Sequence, residues 1–577
     1  MTAPSSVETG HARLLAAGFV FLCAFAVVAG RLLDLSMADT DRSGTGLGSP
    51  VVGTSARGAI TDRNGVLLAT NMPVKSAFVR PSLIQDPAEV ARKIAGVLGS
   101  DSGEVEQRLR SDSDFVYIRR LLTPNQYAAL SDLEVPGLDF EDEAGRFYPQ
   151  GALTSHLVGF TNVDTTGIAG VEKQFDEELA AGTGIALALD VRVQHVVRTA
   201  LMRAIERFNA IGGTGVVLDV DSGEVLAMVS LPDFHPLDAG IAPADHKKNN
   251  VAQSIYELGS TFKIFTVAAT LESGRATLQT PYDARQPLRV GGHRVSDYRP
   301  QERWMTLAEG FMRSSNIVTG LMALDLGPAG QQEFMCRLGF FEEVPIELPE
   351  RAAPLLPSKW DMVDAVPVAF GHTLASSPLH LARAVSAMVN GGRLPPVTVL
   401  HREHPGVTGA ARTPESTSGT RPCGTGEQVI SSKTSQDINR LLRLVVIGGT
   451  GRKGNADGYV VGGKTGTAEK VIDGRYSRDR RIASFVGAFP MTRPRYVVSV
   501  TVDEPKGRKE TFGFATGGWV AAPAVREIIA RSAFMLGIDP VDETVPAISE
   551  ALHVPIPKPE EIQPVRAQRV AFRPRQG

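Results

Sequence analysis

Three short segments of this chain carry side chains that can perform acyl chemistry together. Ser260-Thr261-Phe262-Lys263 sets a hydroxyl and an amine three residues apart. Ser314-Ser315-Asn316 adds two hydroxyls and an amide. Lys464-Thr465-Gly466-Thr467 adds a second amine and two more hydroxyls. Each segment alone arises by chance in a chain of 577 residues. In this order they supply what serine acyl transfer needs: a nucleophile, amines to manage its proton, a polar relay and a strand edge to hold substrate.

The neighbouring residues say how each segment is positioned. Thr261 to Glu272 is apolar on nearly every side, with Phe262, Ile264, Phe265, Val267, Ala268 and Ala269, and a helix apolar all round is a buried one. Ser260 then stands at the start of a buried helix, where free N–H groups and the positive dipole end favour an oxyanion. Lys263 shares its face. Lysine is a poor base at its ordinary pKa of about 10.4, but burial and a second cation lower it, and Lys464 is the candidate cation. Ser314 is placed to relay a proton between the two amines, and Asn316 to bond a substrate amide. Whether Lys263, as general base, or Ser314 takes the first proton stays open. Taken alone, the Ser314 triplet reads as a helix N-cap. Lys464 follows Tyr459-Val460-Val461 and so sits on a strand. Gly466 removes a side chain where a ligand must approach closely, Thr465 and Thr467 suit a substrate carboxylate, and the N–H groups of Ser260 and Thr467 form the candidate oxyanion hole.

Gly458 to Thr465 also satisfies the spacing of a phosphate-binding loop. That loop needs a strand before it and a helix after it. Here a loop precedes Gly458, and Gly466 with the polar stretch Glu469 to Arg481 follows, so a nucleotide site is rejected. Asp219, Asp221 and Glu224 lack calcium-loop spacing and read as a hairpin turn. No CxxC or HExxH occurs, and His401 and His404 read as surface residues, so no metal and no cofactor is expected.

The length implies two or more domains, and a net charge of -3 gives no reason to expect nucleic acid. Residues 1–13 read as a cytoplasmic tail, and 14–35 as a transmembrane anchor with an uncharged core from Leu14 to Gly30. The alternative is a cleaved signal ending near Val27-Val28-Ala29. Both readings export the rest. Residues 36–56 form a linker. In 57–211, Arg57 to Ala69 reads as a hairpin, 86–133 as helical, and Arg192 to Asn209 as one amphipathic helix. In 212–536, strands at both ends with helices between predict an α+β fold, an antiparallel sheet flanked by helices. Trp519 to Leu536 reads as a closing helix. Residues 537–577, rich in proline and charge, read as a solvated or partner-binding tail. Three cysteines make no disulfide framework, and pairing of Cys336 with Cys423 stays open.

The three motifs, with Tyr256-Glu-Leu-Gly-Ser-Thr-Phe-Lys263 and Val520-Ala-Ala-Pro523, resemble those of the class B penicillin-binding proteins. Arg57-Gly58 with Asp62 to Gly65, Arg146 with Tyr148-Pro149, and Gly167 with Gly170 and Glu172 resemble that family's pedestal motifs. Phe115 to Asp176 is closer to the cell-division branch than to the elongation branch. The resemblance covers nearly everything from the anchor to about residue 536. It implies a transpeptidase domain on an extended pedestal (a dimerisation-type domain), with one membrane anchor. It implies a periplasmic D,D-transpeptidase of the division septum. Ser260 would attack the D-alanyl-D-alanine end of a peptidoglycan stem peptide, release D-alanine and pass the acyl group to a neighbouring strand's amine. β-Lactams would acylate the same serine. The partners implied are a SEDS-type glycosyltransferase, FtsW, and other division proteins. Leu258 stands where the family has proline, and residues 403–426 do not align with it. Two rival readings are a β-lactam sensor or hydrolase on the same domain, and a division scaffold that acts by contact. A membrane-anchored ATPase rests only on the rejected loop.

Overall fold

The computed structural model describes residues 57–402, 428–472 and 474–562. The anchor, the linker, Cys23, His404, Cys423 and the unaligned segment lie outside the described residues. Among the described residues, no helix is long and apolar enough to cross a membrane.

The chain opens with β1 (Ile60–Thr61) and β2 (Leu67–Val79). Asp62 turns them, its carboxylate accepting from the N–H groups of Asn64 and Val66. The return strand runs far past Ala69, because its alternating residues pair along their length with β4 (Leu138–Phe147). The helical reading of 86–133 is corrected in part. Helices α1 (Pro87–Leu98), α2 (Ser102–Leu109) and α3 (Pro124–Ser131) form, but Val116–Leu122 is strand β3 on the edge of β2. Its Val-Tyr-Ile start is strand-forming composition, and the helical spacing on either side hides it.

The motifs scattered through this first region converge. Arg57 donates to Glu172 and pairs with Asp176, while Arg146 donates to the other Glu172 oxygen and to Asn71. Glu172 is fully buried, and a carboxylate there requires both guanidiniums. β5 (Ile185–Ala186) pairs parallel with β1, and α4 (Val191–Phe208) follows, ending at Asn209 in the left-handed region. The second Asp62 oxygen accepts from Val191 N–H, which ties the opening hairpin to α4.

Beyond α4 stands a five-stranded antiparallel sheet. Its strands are β6 (Gly212–Asp219), β7 (Val225–Leu231), β8 (Gly462–Ile472), β9 (Arg475–Phe489) and β10 (Tyr496–Asp503), in spatial order β8-β9-β10-β6-β7. This is the sheet read from the two ends of the region. Asp219 accepts from the N–H groups of Asp221 and Ser222, so the acidic cluster is the β6–β7 turn. The inserted part holds α5 (Lys263–Glu272), α6 (Leu307–Arg313), α7 (Asn316–Leu326) and α8 (Ser432–Gly448). Phe262, Phe265 and Phe340 form an aromatic triangle around α5, with centroids 5.1 to 5.4 Å apart. α9 (Ala521–Ser532) packs against the sheet. All described residues lie within one compact unit, Ala56–Gly577.

The tail reading is corrected for 537–562. Helix α10 (Pro546–Ala551) forms there, and Ile548, Leu552 and Ile556 pack on the main core with Val554 buried. The apolar residues recur too sparsely among the prolines and charges to show a face in the sequence. His401 is likewise no free surface residue: its ring nitrogen lies 3.1 Å from Glu224. Cys336 is disulfide-bonded.

Candidate active site

Ser260 stands in a 3-10 turn, Gly259–Phe262, that leads without a break into α5. Three residues per turn set Ser260 and Lys263 on one line. The turn holds with Leu258 in place of proline, because Thr261 Oγ1 caps the Leu258 carbonyl at 2.9 Å. Residues 263 to 270 are all buried, as the all-round apolar pattern requires.

β8 crosses this turn at close range. An added Cβ on Gly259 would lie 2.5 Å from the Thr467 carbonyl oxygen, and one on Gly466 would lie 2.4 Å from the Leu258 carbonyl oxygen. Two glycines therefore let backbone meet backbone and set Ser260 beside Thr467.

The second motif enters between them. Ser314 ends α6 with φ at +61, in the left-handed region. Ser315 then caps α7, its Oγ accepting from Val318 N–H at 3.0 Å. The N-cap reading holds for Ser315, and Ser314, one residue earlier, is the one placed between the two amines. The sharp turn at Ser314 aims its hydroxyl at the two amines. Lys464 Nζ donates to Ser314 Oγ at 2.9 Å, and Lys263 Nζ lies 3.3 Å from the same oxygen. Lys263 also donates to the Ser314 carbonyl at 2.6 Å and to Asn316 Oδ1 at 2.7 Å.

Both lysines are 0% exposed. Burial pulls the Lys263 amine down to about 7, against the opposing pull of the Asp297 carboxylate. Lys464 is also lowered, by burial first and by the Lys263 charge second. Two buried ammonium groups this close disfavour each other's charge, and burial is the larger effect on both. One amine of the pair can hold its proton near neutral pH while the other is free to accept.

Thr465 Oγ1 meets Thr450 Oγ1 at 2.8 Å, and Thr467 Oγ1 accepts from Gly517 N–H at 3.1 Å. The Lys464 strand continues to Ile472 with no helix after it, which removes the phosphate-loop reading.

All eight residues singled out from the sequence fall in this one region. Four others were missed. Asp297 accepts from Ser315 Oγ at 2.7 Å and from the N–H groups of Asn316 and Ile317, fixing the start of α7. Glu257, just before the nucleophile turn, accepts from Thr373 N–H at 2.9 Å and Tyr476 OH at 3.0 Å, with His372 Nδ1 also at 3.0 Å. Thr450, against Thr465 Oγ1, and Glu543, which accepts from Val460 N–H in the turn before β8, complete the set. No spacing rule reaches them, because each acts from a loop whose path only packing decides.

A serine turn, a buried amine pair bridged by a hydroxyl, and a glycine-bearing strand edge define a serine acyltransferase domain, here seated on a mixed α/β pedestal. Residues 213–530 match the family model described as penicillin binding protein transpeptidase domain, and 53–199 match that of the penicillin-binding protein dimerisation domain. The chain belongs to the penicillin-binding protein transpeptidases, as a class B member of the FtsI type. It is 37% identical over 518 residues to the "Probable peptidoglycan D,D-transpeptidase FtsI" of Caulobacter vibrioides, covering 87% of this chain and 85% of that one. It is 29% identical over 577 residues to the peptidoglycan D,D-transpeptidase FtsI of Escherichia coli K12, covering 92% and 94%. Penicillin binding protein 3 of Mycobacterium tuberculosis, solved in complex with aztreonam, shares the fold with a TM-score of 0.65 at 23% identity, over 85% of this chain and 98% of that one.

Proposed function

We propose that this protein is the peptidoglycan D,D-transpeptidase of septal wall synthesis and that it works through an acyl-serine. The observation that carries the reading is the Ser314 hydroxyl, 2.9 Å from one buried lysine amine and 3.3 Å from the other, beside the Ser260 turn.

In the reaction, the stem peptide lies along the β8 edge. Its terminal carboxylate meets Thr465 and Thr467, and an amide meets Asn316. The neutral Lys263 amine accepts the Ser260 proton as Oγ bonds to the carbonyl carbon of the penultimate D-alanine. The N–H groups of Ser260 and Thr467 receive the oxyanion. The carbon–nitrogen bond then breaks, and a proton passed through Ser314 and Lys464 leaves with the terminal D-alanine. An amine from a neighbouring strand attacks the ester, forms the crosslink and restores the Ser260 hydroxyl. A β-lactam follows the first half and stops at the ester.

The finer assignments belong to the same proposal. Residues 14–35 anchor the chain in the cytoplasmic membrane, and 36–56 link it to a pedestal at 57–211. Residues 212–536 form the periplasmic transpeptidase domain. FtsW and other division proteins are the partners. Mass spectrometry of the protein after incubation with a penicillin tests the core of this reading. A stable adduct on the peptide carrying Ser260, absent in Ser260→Ala, is the expected result. No adduct with no hydrolysis moves the scaffold reading first, and fast hydrolysis moves the sensor or hydrolase reading first.

A further inference from the structure

The region after Gly537 lies outside the matched transpeptidase residues, 213–530, yet it reaches the strand that carries Lys464. Val541 N–H donates to the Gly458 carbonyl at 2.8 Å. Two residues on, one oxygen of Glu543 accepts from Gly458 N–H at 3.2 Å and from Val460 N–H at 3.0 Å. Its other oxygen pairs with Arg443 of α8. That guanidinium donates onward to the Val461 carbonyl and to Asn455 Oδ1, each at 2.8 Å. A carboxylate and a guanidinium therefore bracket the backbone from Gly458 to Val461.

The bracketed backbone is strained. Val460 has φ at +45, a left-handed conformation that a β-branched residue adopts only when its surroundings impose it. Its side chain is buried, so the turn cannot relax without moving the core. β8 begins at Gly462, and Lys464 stands four residues after Val460. The turn at Val460 therefore leads directly into the strand end that carries Lys464. Lys464 Nζ donates from there to Ser314 Oγ at 2.9 Å.

We infer that Glu543 is a positioning residue for acyl transfer, holding the strained turn at Val460 so that Lys464 meets Ser314. The inference rests on the function proposed above. The segment that supplies Glu543 is docked along the domain, with Gln279 Nε2 donating to the Pro555 carbonyl at 3.0 Å, so the carboxylate is delivered on a fixed support.

The test compares full chains carrying Glu543→Ala, Val460→Gly and both. Each is read by the second-order rate of Ser260 acylation with a fluorescent penicillin and by thermal unfolding. Glycine takes a positive φ without strain, so the turn can form without the carboxylate. Glu543→Ala is expected to slow acylation by about tenfold, the scale of a lost charge-assisted hydrogen bond. The double variant is expected to recover to within about threefold of wild type, although loss of the buried Val460 side chain lowers its stability further. Rate and stability then move in opposite directions, which mere docking of the C-terminal segment does not produce. Wild-type rates in a folded Glu543→Ala chain overturn the inference, as does a double variant no faster than Glu543→Ala. If Glu543→Ala does not fold, Glu543→Met keeps the side-chain length without the acceptors and faces the same two criteria. A wild-type chain that takes no penicillin at Ser260 overturns the proposed function and this inference with it.

Discussion

Replacing Ser314 by alanine separates the relay from the scaffold around it. Lys263 keeps two acceptors, the Ser314 carbonyl at 2.6 Å and Asn316 Oδ1 at 2.7 Å. Lys464 keeps the Thr465 carbonyl at 3.1 Å and the Phe311 ring face, 5.9 Å to its centroid. The stability loss is therefore about one hydrogen bond to a charged group, roughly 1.5–3 kcal/mol. In a domain larger than about 250 residues that lowers the unfolding temperature by no more than about 2 °C for each kcal/mol. Alanine meets the same backbone conformation at φ +61 as serine does, so no new strain enters. The proton path fares worse. The hydroxyl is the atom within reach of both amines, and positioned proton transfer is worth about 10²–10⁴ in rate. The assay is stopped-flow acylation by a fluorescent penicillin, beside thermal unfolding of the same sample. Slowing of that order in a folded protein is expected. A Ser314→Ala chain acylated within about threefold of wild type across pH 6–9 would refute the relay, since a path of that weight cannot vanish unnoticed.

Four further outcomes follow from the same coordinates. Ser315→Ala removes the α7 cap and the Asp297 contact and is expected to cost about 0.5–2 kcal/mol of stability, with far less effect on acylation than Ser314→Ala. The neutral form of Lys263 grows as pH rises through about 7, so acylation should climb through that window and level above it; a rate that falls there assigns the base elsewhere. The stability contribution has the same sign, because the unfolded lysine takes up its proton below about 10.4: it falls as pH drops from there to about 7 and is constant below. Glu172→Gln leaves Arg146 buried against a neutral partner and Arg57 with Asp176 as its remaining carboxylate, and should destabilise the pedestal by about 3–5 kcal/mol in thermal unfolding, while acylation at temperatures where the chain is folded is retained. Gly371→Ala places a Cβ 2.0 Å from the Gly259 carbonyl oxygen at a φ of +83, so it should shift the nucleophile turn and lower both acylation rate and unfolding temperature.

Some of this protein was written in local sequence. Side-chain type and short spacing make the Ser260–Lys263 pair, because one helical turn sets residues three apart on one face. All-round apolarity buries α5 and with it Lys263. Alternating and β-branched runs gave the strands of the antiparallel sheet, and the glycine in Lys464-Thr465-Gly466-Thr467 marked the close approach. These depend on neighbours in the chain, and neighbours can be read in order. The pairing of Arg57 and Arg146 on Glu172 was different. The motifs were visible, but not that one carboxylate collects them, since residues 115 and 26 positions apart meet only through the fold. The strand at Val116–Leu122 was hidden because its partner, β2, lies elsewhere in the sequence. The tertiary structure alone decided that Ser314 faces inward and Ser315 caps, that Asp297 anchors the turn between them, and that Glu543 reaches the strand of Lys464. It also decided how deeply the two lysines are buried. Desolvation depends on everything packed around an amine, and no stretch of sequence contains that surrounding.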